Sequence, residues 1–278
     1  MLRAHNLNYS ISNNTLLSDA SLTIRPGELT VILGPNGAGK STFMNLLCGD
    51  LHPSSGGITL DDIPINRIEQ KQIAKRRAMM PQSSRVVFPF AALEIVMIGR
   101  SPHVAGSESR QDLFIAQSAM ACTGVSHLAS RNYNTLSGGE QQRVQLARAL
   151  AQIWDEESKP SEARYLLLDE PVASMDLSHQ HETLRIAKMF AQRNVGVLVI
   201  LHDINLASMY ADRLAIFEGG KIRRQGTPRD VLNEELLTDV FDINVMLSEH
   251  PTLDCPLMVT IPSPIPQGSN ELSNVGVN

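Results

Sequence analysis

The sequence predicts an α/β chain built on buried parallel strands and interrupted by a helical insertion. Three observations carry this reading. Two continuously apolar runs, Tyr165-Leu166-Leu167-Leu168 and Val195 to Leu201, end in acidic or polar residues. That is the pattern of parallel strands buried on both faces, with function at their C-terminal ends. A third apolar run, Leu29-Thr30-Val31-Ile32-Leu33, passes directly into a glycine-rich loop and a helical pattern. Finally, segments 92–99, 110–122 and 139–154 place apolar residues at helical spacing; in the last, Val144, Leu146, Ala147, Leu150 and Ile153 recur.

In chain order, the first 33 residues read as short strands. Leu22-Thr23-Ile24 alternates, Arg25-Pro26-Gly27-Glu28 is a turn, and Leu29–Leu33 is a buried strand. A helix is predicted to begin at Gly39-Lys40-Ser41 and to run through Phe43, Leu46 and Leu47 to the region of Gly49. Residues 56–61 read as another strand. Segment 155–164 is a solvated loop, and 178–193 is a helix-length mixture lying between the two apolar runs. The last thirty residues contain five prolines and few charges, the composition of an extended strap or a loose tail. No internal repeat is visible, which excludes solenoids and tandem cassettes.

With 278 residues, 42% of them hydrophobic and 19% charged, the chain can bury a sizeable core, and collagen-like or wholly disordered readings are excluded. The longest apolar stretches fall far short of the ~20 residues that span a bilayer. The start, Met1-Leu2-Arg3-Ala4-His5-Asn6, lacks the apolar core of an export signal. The net charge of -5 is unevenly spread: from Asp230 onward there are eight acidic residues and no Lys or Arg. That acidic balance, the lack of a basic block and an aromatic content of 4% argue against a nucleic-acid partner. Cys48, Cys122 and Cys255 are far apart without ligand-like spacing, which suits structural burial in a reducing compartment.

Chemistry gathers at the strand ends. Gly34-Pro35-Asn36-Gly37-Ala38-Gly39-Lys40-Ser41 matches the Gly-x-x-x-x-Gly-Lys-[Ser/Thr] phosphate loop and lies between a strand and a helix, as that motif requires. Its glycines let backbone N–H groups curl toward phosphates, and the helix tip adds partial positive charge. Lys40 would reach the β- and γ-phosphates, and the Ser41 hydroxyl would bind Mg²⁺. Leu166-Leu167-Leu168-Asp169-Glu170 then puts two carboxylates at the end of a buried strand: Asp169 for Mg²⁺ and Glu170 as general base for an attacking water. Together the two motifs define a P-loop NTPase. Leu136-Ser137-Gly138-Gly139-Glu140 heads a helix with a second anion-binding tip, and two copies packed head to tail would use both tips on each nucleotide.

With these motifs in this order, residues 2 to 245 resemble the ATP-binding cassette (ABC) ATPases. The resemblance implies a P-loop core (1–82 and 159–248) with a mainly parallel sheet, an antiparallel β subdomain, a helical subdomain (83–158) and a Pro-rich tail (249–278). It implies that ATP and Mg²⁺ are the ligands. Tyr9 would stack on adenine, and Thr42 would join the phosphate loop around the nucleotide. Gln82, in Met79-Met80-Pro81-Gln82, would sense Mg²⁺ and take part in catalysis. Ser137, Gly138 and Gly139 would bind the γ-phosphate held by the opposite subunit, with Asp176 of Ala173-Ser174-Met175-Asp176 in the loop joining the two subunits, and His202 would contact the γ-phosphate and orient Glu170. His179-Gln180-His181 is a poor metal site, since the rings at i and i+2 of a helix diverge by roughly 200°. It reads as a polar helix face at the subunit interface.

In family terms the chain is similar to the cytoplasmic subunit of a bacterial importer, peripheral on the inner membrane. Its partners would be a second copy, a dimer of an integral-membrane permease and, indirectly, a periplasmic substrate-binding protein. The apolar patch Val87-Phe88-Pro89-Phe90-Ala91-Ala92 is expected either at the permease or packed within the helical subdomain. The run from Phe88 to His103 is similar to subunits serving iron-siderophore, haem and cobalamin permeases. Ala149-Leu150-Ala151-Gln152-Ile153-Trp154, Asp176 to Gln180, the long loop at 155–164 and Pro251 to Pro262 resemble the haem branch. Hemin import is therefore the expectation, with a ferric siderophore or cobalamin as the alternative cargo, and a soluble ATPase acting on ribosomes or DNA as the reading from a different class.

Overall fold

Residues 1–12, 14–83, 86–154 and 162–262 are described by the computed structural model. The chain begins with two antiparallel strands, β1 (Leu2–Ile11) and β2 (Asn14–Ile24), longer than the short strands expected. Leu2, Ala4 and Leu7 of β1 and Leu17, Ala20, Leu22 and Ile24 of β2 are buried. Register shifts after Ala4, Leu7 and Tyr9 break the two-residue period, which is what hid the full strands from a pattern reading. The turn predicted at Arg25–Glu28 leads into β3 (Leu29–Leu33), and α1 (Lys40–Cys48) ends on Gly49, whose φ of 76° suits a left-handed helix cap. β4 (Ser55–Leu60) pairs with β1, and β5 (Ile63–Pro64) pairs with β4. These four strands form one antiparallel sheet in the order β2-β1-β4-β5.

α2 (Gln70–Arg76) runs straight into β6 (Arg77–Met80), a strand that four residues of mixed composition could not announce. The helical insertion follows as α3 (Ala92–Ile98), α4 (Arg110–Cys122) and α5 (Gly138–Gln152), each within two residues of its expected bounds. An internal ion pair ties α3 to α4: Arg100 Nε lies 3.0 Å from Asp112 Oδ1, and Arg100 Nη1 donates to the carbonyl of Ala151 at 2.8 Å. Arg100 is only 1% exposed, so removing Asp112 would leave a buried charge badly matched, at a cost of about 3–5 kcal/mol. Thus part of the Phe88–His103 run has an architectural role in this fold.

The core sheet is completed by β7 (Arg164–Asp169), α6 (Leu177–Gln192), β8 (Val195–Ile200), α7 (Ile204–Tyr210), β9 (Arg213–Glu218) and β10 (Lys221–Gly226). Its strand order is β10-β9-β3-β8-β7-β6, parallel throughout except for β10. Both faces are covered. Leu29, Val31, Leu166, Leu168, Val197 and Val199 face the core shared with α3–α7, while Ile32, Leu167, Leu198 and Ile200 face α1 and the antiparallel sheet. That double burial is why the strands read as unbroken apolar runs.

The C-terminal segment departs from the expected strap or tail. After α8 (Pro228–Val231) and α9 (Glu234–Phe241), β11 (Val245–Glu249) pairs antiparallel with β12 (Pro256–Thr260), so part of the Pro-rich region is a docked hairpin. Of the three cysteines expected to be buried, Cys255 is buried beside the hairpin, whereas Cys48 and Cys122 are half-buried; burial pushes the Cys48 thiol up to about 12. Most of the loop expected at 155–164 and the tail beyond 262 lie outside the described residues. Among the described residues no helix is long and apolar enough to cross a membrane.

Candidate functional site

Four neighbouring parallel strands deliver the predicted residues to one sheet edge. The phosphate loop follows β3, Gln82 follows β6, Glu170 follows β7 and His202 follows β8, all at C-terminal ends, where open α/β sheets place their ligands. Gly34 has φ 152°, and a Cβ there would stand 2.2 Å from the Phe217 carbonyl oxygen, so only glycine lets the loop pass β9. Gly39, at φ 96°, is the N-cap of α1, and no side chain caps this tip. The first N–H groups of α1 are thereby left facing the loop. Lys40 is 6% exposed, and its Nζ donates to the carbonyls of Gly34 at 2.7 Å and Pro35 at 2.9 Å. Burial lowers its pKa, while the carboxylates of Glu170 and Asp169 work in the opposite sense.

Ser41 and Asp169 meet across the cleft, with Ser41 Oγ donating to Asp169 Oδ1 at 3.4 Å. Burial raises the Asp169 pKa, opposed by the Ser41 hydrogen bond, and Glu170 raises it further. A buried carboxylate beside a hydroxyl is a hard-oxygen donor set, which fits a small divalent cation. Glu170 adopts φ 49°, an uncommon value for a residue with a side chain. Its two oxygens are held separately: Gln82 Nε2 donates to Oε2 at 2.7 Å, and His202 Nε2 lies 2.6 Å from Oε1. Since an ionised carboxylate only accepts, Nε2 of His202 carries the proton in this contact.

Ser137, Gly138, Gly139 and Asp176 form a second group. They line one cavity of about 380 Å³ with Glu140, Arg143, Ser174, Met175 and His179, and no residue of the phosphate loop lines it. Ser137 caps α5 reciprocally with Glu140: Glu140 Oε2 accepts from Ser137 N–H at 2.8 Å and from its hydroxyl at 2.9 Å, and Ser137 Oγ accepts from Glu140 N–H at 3.4 Å. Asp176 caps α6, its Oδ1 accepting from His179 N–H at 2.9 Å. Sequence reasoning did not single out Arg143, although the four-residue step from Gly139 along α5 is the signal that sets it over this tip.

Tyr9 is half-buried on β1 opposite Leu17, the side chain that approaches Gly39. His181 bonds Tyr210 at 2.8 Å and His179 bonds Asp176, so the two histidines turn to different partners; among the described residues no group of three or more His, Cys, Asp or Glu is gathered as a metal site. Val87 and Phe88 are 84% and 69% exposed, which removes the reading that packs the patch wholly inside the helical subdomain.

A strand–glycine loop–helix unit with a carboxylate pair at the end of β7, one strand beyond β8 in the same sheet, defines the class: a P-loop NTPase. The ABC transporter family profile matches residues 17–173, and the chain belongs to that family. It is 46% identical over 263 residues to the hemin import ATP-binding protein HmuV of Gloeobacter violaceus, covering 95% of each chain. To the protein of that name from Pseudomonas aeruginosa it is 45% identical, covering 93% of this chain and 99% of the relative. Among solved structures, an inward-facing ABC transporter described as of the metal-chelate type aligns with TM-score 0.77 at 27% identity, over 94% of this chain and 96% of that one. A dimeric bacterial ABC transporter cassette, MJ0796, aligns with TM-score 0.70 at 26% identity, over 82% and 98%.

Proposed function

We propose that the chain is the ATP-hydrolysing subunit of a bacterial hemin importer. The observation that carries the hydrolytic half is the pair of bonds from Gln82 and His202 to Glu170. They fix a carboxylate beside the Lys40 and Ser41 loop while leaving lone pairs on both oxygens for a water proton. ATP is the substrate: the phosphate loop, from Gly34 to Ser41 with Thr42, takes its phosphates, and Tyr9 takes the adenine. Water attacks the γ-phosphorus, its proton passes to Glu170, and the bond to the β-phosphate oxygen breaks, leaving ADP and inorganic phosphate. His202 steadies Glu170 and contacts the γ-phosphate. Ser41 and Asp169 would hold Mg²⁺, and Gln82 could offer its amide oxygen to the ion while its nitrogen stays on Glu170. When bound, the ion offsets the negative charge of the phosphates.

Two copies close head to tail. The α5 tip of one, with Ser137, Gly138, Gly139 and the Asp176 loop, closes on the ATP in the other's phosphate loop, and hydrolysis releases them. That the MJ0796 cassette is dimeric supports the pairing of two copies. The exposed Val87, Phe88 and Phe90 face a permease dimer, which keeps the subunit on the cytoplasmic face of the inner membrane, below a periplasmic binding protein. Support for hemin as cargo comes from hemin import ATP-binding proteins that are 39–46% identical over most of the chain. Glu170→Gln tests the hydrolytic half: ATP binding should persist, a dimer should be trapped, and turnover should fall by ~10² or more. Undiminished hydrolysis would refute Glu170 as base. Growth on hemin as sole iron source, lost on deletion and restored by the wild-type chain, tests the cargo.

A further inference from the structure

The hairpin β11–β12 is fastened to the helix that begins two residues after His202. Asn205 pairs with the main chain of Met258 in both directions: Nδ2 donates to the carbonyl at 3.0 Å, and Met258 N–H donates to Oδ1 at 2.8 Å. A side-chain amide thus stands where a neighbouring strand's backbone would stand. One turn on, Ser208 Oγ donates to the Pro256 carbonyl at 2.6 Å. The hairpin is itself anchored, since Arg229 donates to both oxygens of Glu249 at 2.9 and 2.8 Å and Leu247 N–H donates to Glu234 Oε1 at 2.8 Å.

These bonds add polar anchors to a helix that is otherwise held by packing, with Ile204, Leu206 and Ala207 buried in the core. It spans seven residues, too few to be stable alone, and its tip is capped only by Asp203 Oδ1 on Leu206 N–H at 2.9 Å. The His202 side chain is 46% exposed, so packing does not set its ring. Its direction is set by the backbone entering α7 and by the 2.6 Å contact with Glu170. We propose that Asn205 and Ser208 are positioning residues for ATP hydrolysis, through which the C-terminal hairpin holds α7, and hence His202, against Glu170. The proposal rests on the catalytic reading of Glu170 and His202. It gives the C-terminal hairpin a function in the chemistry, although no residue of it enters the nucleotide cleft.

The test is a double-mutant cycle on the full chain, read as steady-state kcat and KM for ATP and as single-turnover rates so that slow variants stay measurable. Asn205→Ala should lower kcat about three- to tenfold with KM changed less than about twofold, as expected for a displaced orienting group. In a His202→Ala background the same substitution should add nothing, because a residue acting through His202 has nothing left to position. Unchanged kcat in Asn205→Ala, or losses that multiply in the double variant, overturn the proposal. Should Asn205→Ala not fold, Ser208→Ala, which removes one hydroxyl, enters the same cycle with the same expectation. Glu170→Gln separates the two levels. Turnover that survives it overturns the catalytic reading and this proposal together, whereas its loss combined with multiplying Asn205 and His202 effects overturns this proposal alone.

Discussion

The tips of α1 and α5 are both glycine-led helix N-termini, and they are built differently. At α1 no side chain caps the tip, and the glycines are required by the protomer itself. A Cβ on Gly34 would lie 2.2 Å from Phe217 O, and one on Gly39 would lie 2.8 Å from Leu16 O. At α5 a Ser137–Glu140 box closes the tip, and a Cβ on Gly138 or Gly139 would meet only ordinary neighbours, Ser174 Cβ at 3.7 Å and Ser174 O at 3.5 Å. Packing within one protomer therefore explains the first set of glycines and leaves the second unexplained. In the proposed head-to-tail pair, the glycines of α5 would answer to the triphosphate of the second copy.

The largest effect that can break this comparison belongs to Ser137→Arg. The added side chain fills the mouth of the α5 cavity without touching the phosphate loop. Each protomer should bind ATP as before, while turnover falls by about 10²-fold, the scale on which removing a preorganised anion donor acts. Nucleotide titration with light scattering checks both. A stable ATP-loaded dimer of this variant would count against the head-to-tail arrangement.

Next in size is a matched pair of glycine substitutions. Gly34→Ala forces backbone to move at β9 and should lower stability by about 1–3 kcal/mol, the range for overpacked sites. Gly139→Ala should leave the denaturant midpoint within about 1 kcal/mol of wild type, since alanine suits a helix. It should nevertheless reduce ATP-driven dimerisation and turnover. Equal destabilisation by the two would erase the distinction between the tips.

How much of this was legible in the sequence follows the same division. The phosphate loop, the Asp169-Glu170 pair and the Ser137-to-Glu140 spacing are local signals, and they landed on the expected strand ends and helix tip. The doubly buried strands were legible because burial on both faces leaves no polar alternation. What stayed hidden is long-range. The bonds from Gln82 and His202 to Glu170 span 88 and 32 residues. β1 and β2 were shortened in the reading by bulges. The β11–β12 hairpin was hidden by prolines, because Pro256 starts a strand whose outer groups are satisfied by Asn205 and Ser208, far away in the chain.

The smallest effect sharpens the α5 tip itself. Hydrogen bonds from the Ser137 main chain and hydroxyl hold the Glu140 carboxyl below its ordinary value of 4.5. A depressed folded pKa contributes stability that is present above the unfolded value and lost as pH falls through the folded one. The side chain is half-buried, so solvent still screens much of that gain, and Gln can still accept from Ser137. Glu140→Gln should therefore change stability by less than about 0.5 kcal/mol at pH 7 and flatten the loss below pH ~4.5, read from denaturant midpoints. Its informative readout is the dimer. Glu140 puts a negative charge beside the N–H groups of Gly138 and Gly139, where the proposed pair would seat the partner's phosphate. Neutralising that charge should tighten ATP-driven association slightly while leaving the fold unmoved. A dimer weakened by Glu140→Gln would mean that the carboxylate itself contacts the second copy, and the α5 tip would then be an interface built on its cap rather than a vacant anion seat.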